Sequence, residues 1–132
     1  AVAESNLRAD GRTSASIVIA IAQELGPVLA RTGLREEAGQ LARRAWEIAD
    51  PQRKYAARRR PNLIDGYTAR GYTAAGLIYA ALGETARATD ALKNAEAAWN
   101  RVASAPFYTR EHRALREHAR VALAGLQGQK GK

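Results

Sequence analysis

Residues 75–95 read AGLIYAALGETARATDALKNA, and residues 25–45 read LGPVLARTGLREEAGQLARRA. The two stretches are one pattern written twice, because both have glycine at their second and ninth positions and alanine at their fourteenth and twenty-first. Small residues at helical spacing allow helices to pack closely, and a glycine between two helices ends the first of them. The pattern therefore predicts two similar helical hairpins, an arrangement typical of helical repeat scaffolds.

The composition indicates one all-helical domain. The chain has 132 residues, 46% of them hydrophobic and 26% charged, and only 6% are aromatic. These values are ordinary for one globular domain, but alanine supplies much of the apolar share. Alanine has the highest helix propensity, and the strand-forming residues do not alternate with a period of two. We therefore expect an all-α fold without a sheet.

Several function classes are excluded or disfavoured by the residues present. Cysteine is absent, so disulfides and cysteine-ligated metals are excluded. His112 and His118 are six residues apart and project from different faces of a helix, so they do not form a metal site together. No apolar run approaches the roughly 20 residues that cross a bilayer. We expect no catalysis, cofactor, metal or membrane insertion in this segment, which we interpret as part of a larger protein because it starts at Ala1.

Turn signals divide the chain. The Asp10-Gly11 pair predicts a turn that ends a flexible segment over residues 1–12. Pro27 is expected to bend the first helix and Asp50-Pro51 to end the second. A helical domain is predicted over residues 13–127, followed by a disordered tail at 128–132. Its parts are a hairpin at 13–50, a basic linker at 51–60, a hairpin at 61–104 and a capping helix at 107–126.

Apolar periodicity assigns an apolar or inner face to each predicted helix. In the first helix the apolar side chains recur on one face at Ile17, Ile21, Leu25, Val28 and Leu29. In the later helices the inner side is formed by small and branched residues, among them Ala38, Ala42, Ala45, Ala74, Ile78, Leu82, Ala88, Leu92, Ala95, Leu115, Ala119 and Leu123. The stripe of the fifth helix is the narrower one.

The repeated positions resemble the tetratricopeptide repeat. The first copy matches that family at Leu25-Gly26, Leu29, Gly33, Ala38 and Ala45, and the second at Tyr72, Gly76, Tyr79, Gly83, Ala88, Leu92 and Ala95. The chain departs from the family at Ala42, where an aromatic residue is usual, and in its period, because Gly33 and Gly83 are 83 − 33 = 50 residues apart instead of about 34. The resemblance implies antiparallel hairpins in a right-handed superhelix of about five helices.

A second, narrower resemblance concerns the stretch from Gly76 to Glu84, the broken helix and the final capping helix. Together these look like the repeat-bearing C-terminal regions of some bacterial serine/threonine protein kinases. The chain itself contains no glycine-rich phosphate loop, no His-Arg-Asp and no Asp-Phe-Gly. A regulatory or sensing region of such a kinase is therefore one alternative function.

The tetratricopeptide resemblance implies a non-catalytic protein–protein interaction scaffold that holds a peptide or partner domain in a groove. The family offsets place Gln23, Arg31, Arg70, Thr73 and Leu77 in that groove. Arginine binds carboxylates through two parallel N–H donors, so Arg31 and Arg70 are candidates for an acidic or C-terminal peptide. Two alternatives remain: both arginines are ordinary solvent-exposed side chains without a binding role, or the groove binds another copy of the chain.

The basic linker is the candidate for a third function, nucleic-acid binding. It carries Arg53, Lys54, Arg58, Arg59 and Arg60, and the chain has a net charge of +8. Such a charge attracts polyanions, although a GC-rich coding sequence also favours arginine over lysine. Because a helical reader of nucleic acid needs basic side chains aligned on one face, we prefer a solvated linker.

Overall fold

The structure, a computed structural model, describes the backbone of residues 2–56 and 63–130, and the side-chain surroundings of residues 16–53 and 65–128. Within these residues the chain forms five helices and no strand, which confirms the all-α prediction. In chain order the helices are α1 (Val2–Arg31), α2 (Arg35–Ala56), α3 (Leu63–Ala81), α4 (Thr85–Val102) and α5 (Arg110–Lys130).

The two hairpin turns have the same geometry. Gly33 and Gly83 have φ angles of 90° and 78°, the left-handed region that favours glycine. In each turn the residue after the glycine donates its backbone N–H to the carbonyl oxygen five residues earlier, at 2.9 Å: Leu34 to Leu29, and Glu84 to Tyr79. This closure is a common helix C-cap, and it falls at positions exactly one 50-residue offset apart. The repeated pattern therefore produces a repeated local structure.

The central helix is α3. It contacts α1 and α2 on one side and α4 and α5 on the other, while α1 also contacts α2 and α4 contacts α5. Among the described residues α2 and α4 each pack extensively on α3 and not on each other, so they lie on either side of α3. The second hairpin is thus stacked on the first through α3.

Two glycines of α3 explain how closely it packs. A Cβ atom added to Gly76 would lie 2.6 Å from the Leu92 side chain of α4. A Cβ atom added to Gly71 would lie 3.0 Å from the carbonyl oxygen of Ala45 and from the Cβ atom of Ala49, both in α2. Such distances are shorter than ordinary van der Waals contacts. Gly71 therefore allows the second hairpin to pack closely on the first, and Gly76 allows α3 and α4 to pack closely within the second hairpin.

The predicted inner faces of α2 to α5 form the core, which consists mainly of alanine with a few large side chains such as Trp99, Tyr72 and Leu92. The apolar face expected on α1 lies elsewhere, because Ile17, Ile21, Leu25 and Val28 are exposed. The buried side of α1 carries Ile19, Ala22, Gly26 and Ala30 instead. There Gly26 lies against the Ile78 side chain of α3, and only a small residue fits.

The N-terminal boundary differs from the prediction. Helix α1 begins at Val2 and continues through Asp10-Gly11, where the sequence predicted a turn. A glycine inside a helix costs about 1 kcal/mol relative to alanine, which does not end a helix that is already propagating. At the other end α5 continues to Lys130, into the tail predicted at 128–132.

The break predicted at Asp50-Pro51 does not form either. Helix α2 continues through Pro51 to Ala56, and α1 likewise contains Pro27. The Asp50 carboxylate accepts a hydrogen bond of 2.7 Å from the Tyr72 hydroxyl of α3 and lies 3.7 Å from Nε of Arg53. These contacts attach this turn of α2 to the core and support the helix beyond the proline. The rest of the predicted linker, residues 57–60, lies outside the described residues.

Candidate functional site

One of the residues predicted to line the groove, Thr73, lies in the protein core. Thr73 is fully buried, donates a hydrogen bond to the Ala69 carbonyl oxygen at 2.8 Å and accepts one from Nε1 of Trp99 at 2.9 Å. Trp99 is itself fully buried. Thr73 is therefore a core residue that positions the indole ring, and it does not lie on a binding surface.

Arg70, the next predicted groove residue on α3, lies beside α5. Burial and the nearby Arg70 guanidinium lower the pKa of His112 below its usual 6.5. His112 stacks on Tyr108 and contacts the Trp99 ring, with centroid distances of 6.0 and 5.6 Å. The capping helix thus fills the space in which the resemblance implied an open trough at Arg70.

The other predicted groove residues differ in their exposure. Arg31 is exposed in the last turn of α1, whereas Leu77 on α3 is half-buried. Gln23 is half-buried too, and its Oε1 atom has no hydrogen-bond partner among the described residues. A carboxylate site formed by Arg31 and Arg70 stays a prediction.

A defined groove lies instead between α2 and α4, over α3. It consists of two adjoining cavities of about 360 and 220 Å³, which share Tyr79 and Arg87 in their linings. We call it the α2–α4 groove. Its principal lining residues are Arg35, Arg43 and Trp46 of α2, Tyr79 of α3, and Arg87 and Asp90 of α4.

Contacts with neighbouring side chains and with the backbone fix the positions of several groove residues. The Trp46 ring packs edge-on against Tyr72 with centroids 5.1 Å apart, and the Arg87 guanidinium carbon lies 5.8 Å from the centre of the Tyr79 ring. Nη2 of Arg35 donates a hydrogen bond of 2.6 Å to the Leu82 carbonyl oxygen at the end of α3. Aromatic rings and arginines with fixed positions lose little freedom when a ligand binds.

The charges along the α2–α4 groove are balanced. Three arginines in the lining are accompanied by three carboxylates: Arg35, Arg43 and Arg87 with Glu36, Glu84 and Asp90. Nη1 of Arg87 lies 3.9 Å from Oε2 of Glu84. This rim suits a segment with polar and mixed charges, and it gives no preference for the acidic peptide that Arg31 and Arg70 suggested.

A smaller cavity of about 190 Å³ lies farther along the same side of the molecule. Nε of Arg101 lies 3.6 Å from Oδ2 of the buried Asp65, and Nη1 of Arg53 donates to Oδ1 of Asn94 at 3.2 Å. Burial, with the hydrogen bond to Asp50, raises the pKa of Tyr72 above its usual 10. Arg53, predicted as a linker residue, thus makes contacts within the protein at this end.

The described residues contain no group of three His, Asp or Glu side chains that could hold a metal ion. None of the described helices has both the length and the apolar character needed to cross a membrane. The basic cluster from Arg58 to Arg60 lies outside the described residues, so its proposed contact with phosphates stays a prediction.

Comparison with known proteins gives no further guide to the site. No protein-family model matches the chain, and no curated protein or solved structure shows significant similarity to it. The likeness to helical repeats therefore depends on the internal duplication and the hairpin geometry of this chain alone.

Sequence reasoning missed the α2–α4 groove although its signal is present. The repeat pattern does not include Trp46, and it includes Tyr79 only as one of its matched positions. Each of the two aromatic residues has an arginine nearby in sequence or in space, Arg43 for Trp46 and Arg87 for Tyr79. Trp46 is half-buried and Tyr79 is largely buried, with part of each lining the groove. Aromatic and arginine residues together are typical of binding surfaces.

Proposed function

We propose that this chain is a non-catalytic scaffold of tetratricopeptide-like hairpins, and that it binds a polypeptide segment in the α2–α4 groove. The observation that carries the proposal is the aromatic floor of the groove, which is formed by the half-buried Trp46 of α2 and the largely buried Tyr79 of α3 and is bordered by arginines. Tryptophan, tyrosine and arginine are the residues that most often dominate protein-binding energies. The duplicated turns at Gly33 and Gly83 support the repeat interpretation.

A polypeptide fits the groove better than a compact small molecule does. The groove is open, and the two cavities that form it adjoin end to end instead of forming one enclosed pocket. Small-molecule sites are usually concave and bury most of the ligand. An extended segment would place alternate side chains on Tyr79 and Trp46 and would pair its polar groups with the rim.

The test is selection of peptides from a random display library on the immobilised chain, followed by titration of the selected peptides. Arg43→Glu and Arg87→Glu are expected to weaken binding by about tenfold or more, since each replaces a rim cation by an anion. Arg113→Glu and Arg120→Glu on exposed positions of α5 are the matched controls and are expected to bind normally.

Backbone amide chemical shifts locate the bound peptide independently of these substitutions. The proposal expects the largest changes on α2, on α4 and around Tyr79. Selection of no peptide, or changes confined to α1 and α5, contradicts it. The alternative of a kinase regulatory region remains a prediction, and the coding sequence around this segment tests it.

A further inference from the structure

Most charged side chains of the α2–α4 groove already have a partner within the protein. Arg35 donates a hydrogen bond to the Leu82 carbonyl oxygen, and Arg87 lies 3.9 Å from Glu84. Glu36 is in the first turn of α2, where the helix dipole stabilises a negative charge. The two charged lining residues that remain lie on opposite walls of the groove and have opposite signs.

These two residues are Arg43 of α2 and Asp90 of α4. Both are exposed, and neither makes a hydrogen bond or an ion pair with another residue that the structure describes. Single unpaired charges are common on protein surfaces, but here one cation and one anion line the same groove beside its aromatic floor. A bound segment can therefore pair with both charges without breaking a contact within the protein.

The register of α2 and α4 separates the two charges along the groove. Both helices run antiparallel to α3, and the 3.2 Å hydrogen bond from Nη1 of Arg53 to Oδ1 of Asn94 joins them at one level. Arg43 precedes Arg53 by 53 − 43 = 10 residues, and Asp90 precedes Asn94 by 94 − 90 = 4 residues. At about 1.5 Å per residue this difference corresponds to about 9 Å. An extended segment covers that distance in two or three residues of about 3.3 Å each.

The cavity beside Asp90 suits a cationic side chain. Its volume of about 220 Å³ admits one long side chain, and its lining includes Trp46 and Tyr79. An indole ring attracts a cation to its face. Arg87 also lines this cavity, but its guanidinium carbon lies 5.8 Å from the centre of the Tyr79 ring and the group is paired with Glu84. Trp46 and Asp90 therefore remain for a cation of the ligand.

The charges around the two ends of the groove differ in sign. Burial and the hydrogen bond to Asp50 raise the pKa of Tyr72, and Asp90 adds to the rise while Arg53 opposes it. Two carboxylates and one guanidinium leave this end of the groove negative. The other end carries three arginines and two glutamates, namely Arg35, Arg43, Arg87, Glu36 and Glu84. The groove thus has a positive end and a negative end although its total charge is balanced.

We propose that the polypeptide bound in the α2–α4 groove carries an acidic and a basic residue two or three positions apart. The acidic side chain pairs with Arg43, and the basic side chain lies against Trp46 and Asp90. This inference rests on the proposed function, because it specifies the ligand of the same groove. The net charge of +8 on the whole chain favours a purely acidic ligand, whereas the negative end of the groove selects against one.

The experiment selects peptides from a random display library on wild type and on Asp90→Lys. Peptides selected on wild type are expected to share an acidic and a basic residue at this spacing, in one chain order because the two ends of the groove differ. On Asp90→Lys, an acidic residue is expected in place of the basic one. Glu96→Lys makes the same change of charge at an exposed position of α4 outside the groove, and this matched control is expected to select the wild-type sequences.

Titration of one selected peptide measures the two contacts separately. Replacing its basic residue by glutamine is expected to weaken binding to wild type by about fivefold, as for an exposed ion pair combined with an aromatic contact. The same replacement should have little effect on binding to Asp90→Asn. Replacing the acidic residue by glutamine should likewise weaken binding to wild type and have little effect on binding to Arg43→Gln. Circular dichroism confirms that the variants are folded.

Two outcomes overturn this proposal and leave the proposed function intact. The first is a set of peptides that shift the amide resonances of α2 and α4 but share no basic residue at this spacing. The second is an equal effect of Asp90→Lys and Glu96→Lys on the selected sequences. Selection of no peptide contradicts the proposed function itself, and this proposal with it.

Discussion

Replacing Gly76 by alanine tests the close packing of the two halves of the second hairpin. The new Cβ atom would lie 2.6 Å from Cγ and Cδ2 of Leu92 and 3.4 Å from the Cβ atom of Ala91. Leu92 is fully buried and has no room to turn away. Overpacking of this kind costs about 3 kcal/mol at the upper end of its usual range, and the better helix propensity of alanine returns about 1 kcal/mol.

The Gly76→Ala variant is therefore expected to lose about 2 kcal/mol of unfolding free energy. For a chain of this size that corresponds to a fall in Tm of about 8 °C, measured by circular dichroism at 222 nm. The control is Gly125→Ala on α5, where a Cβ atom has nothing within 4 Å and stability should rise by about 0.5–1 kcal/mol. A Gly76→Ala variant as stable as wild type would refute the close approach of α3 to α4.

Two further predictions concern the Trp99 environment. Thr73→Val leaves the buried Trp99 indole N–H without its acceptor and should lower the free energy of unfolding in urea by about 1–3 kcal/mol. The control Thr32→Val removes an exposed hydroxyl and should change this free energy little. Equal losses in the two variants would contradict a buried hydrogen bond between Thr73 and Trp99. Because the pKa of His112 is lowered in the folded protein, the unfolded chain binds more protons below pH 6.5, so stability is full above that pH and falls as the pH drops. His112→Gln should flatten this dependence between about pH 7 and pH 5. A wild-type slope in His112→Gln would assign the effect to another group.

The hairpins could be predicted from the sequence because the information for them is local. A glycine that must adopt a positive φ, as Gly33 and Gly83 do, stands between two helices whose alanines recur at helical spacing. The same periodicity identifies the buried faces of α2 to α5. These features depend on residues that are near one another in the chain.

The face of α1 could not be predicted in the same way. Two stripes with helical spacing lie on this helix, one of large side chains that includes Ile21 and Leu25, and one that includes Ala22 and Gly26. Hydrophobicity alone favours burial of the first stripe. The second is buried because only a small residue fits against Ile78, and that contact joins distant parts of the chain.

The continuation of α2 beyond Asp50-Pro51 and the position of the groove have a similar explanation. A proline normally ends a helix, but here the hydrogen bond between Tyr72 and Asp50 attaches the helix to α3. The width of the α2–α4 groove depends on the side chains of α3 that keep the two outer helices apart, such as Tyr79. The separation of α2 and α4 therefore cannot be predicted from the sequence pattern of either helix alone.

The two tryptophans of the chain lie in different surroundings, and each can serve as an optical probe. Trp46 lines the groove and is partly open to solvent, whereas Trp99 is fully enclosed next to Thr73. Indole emission shifts to longer wavelength when water reaches the ring, so a ligand in the groove should change the signal of Trp46 alone. Loss of the native state changes both signals, and single-tryptophan variants therefore distinguish occupancy from unfolding without an added dye.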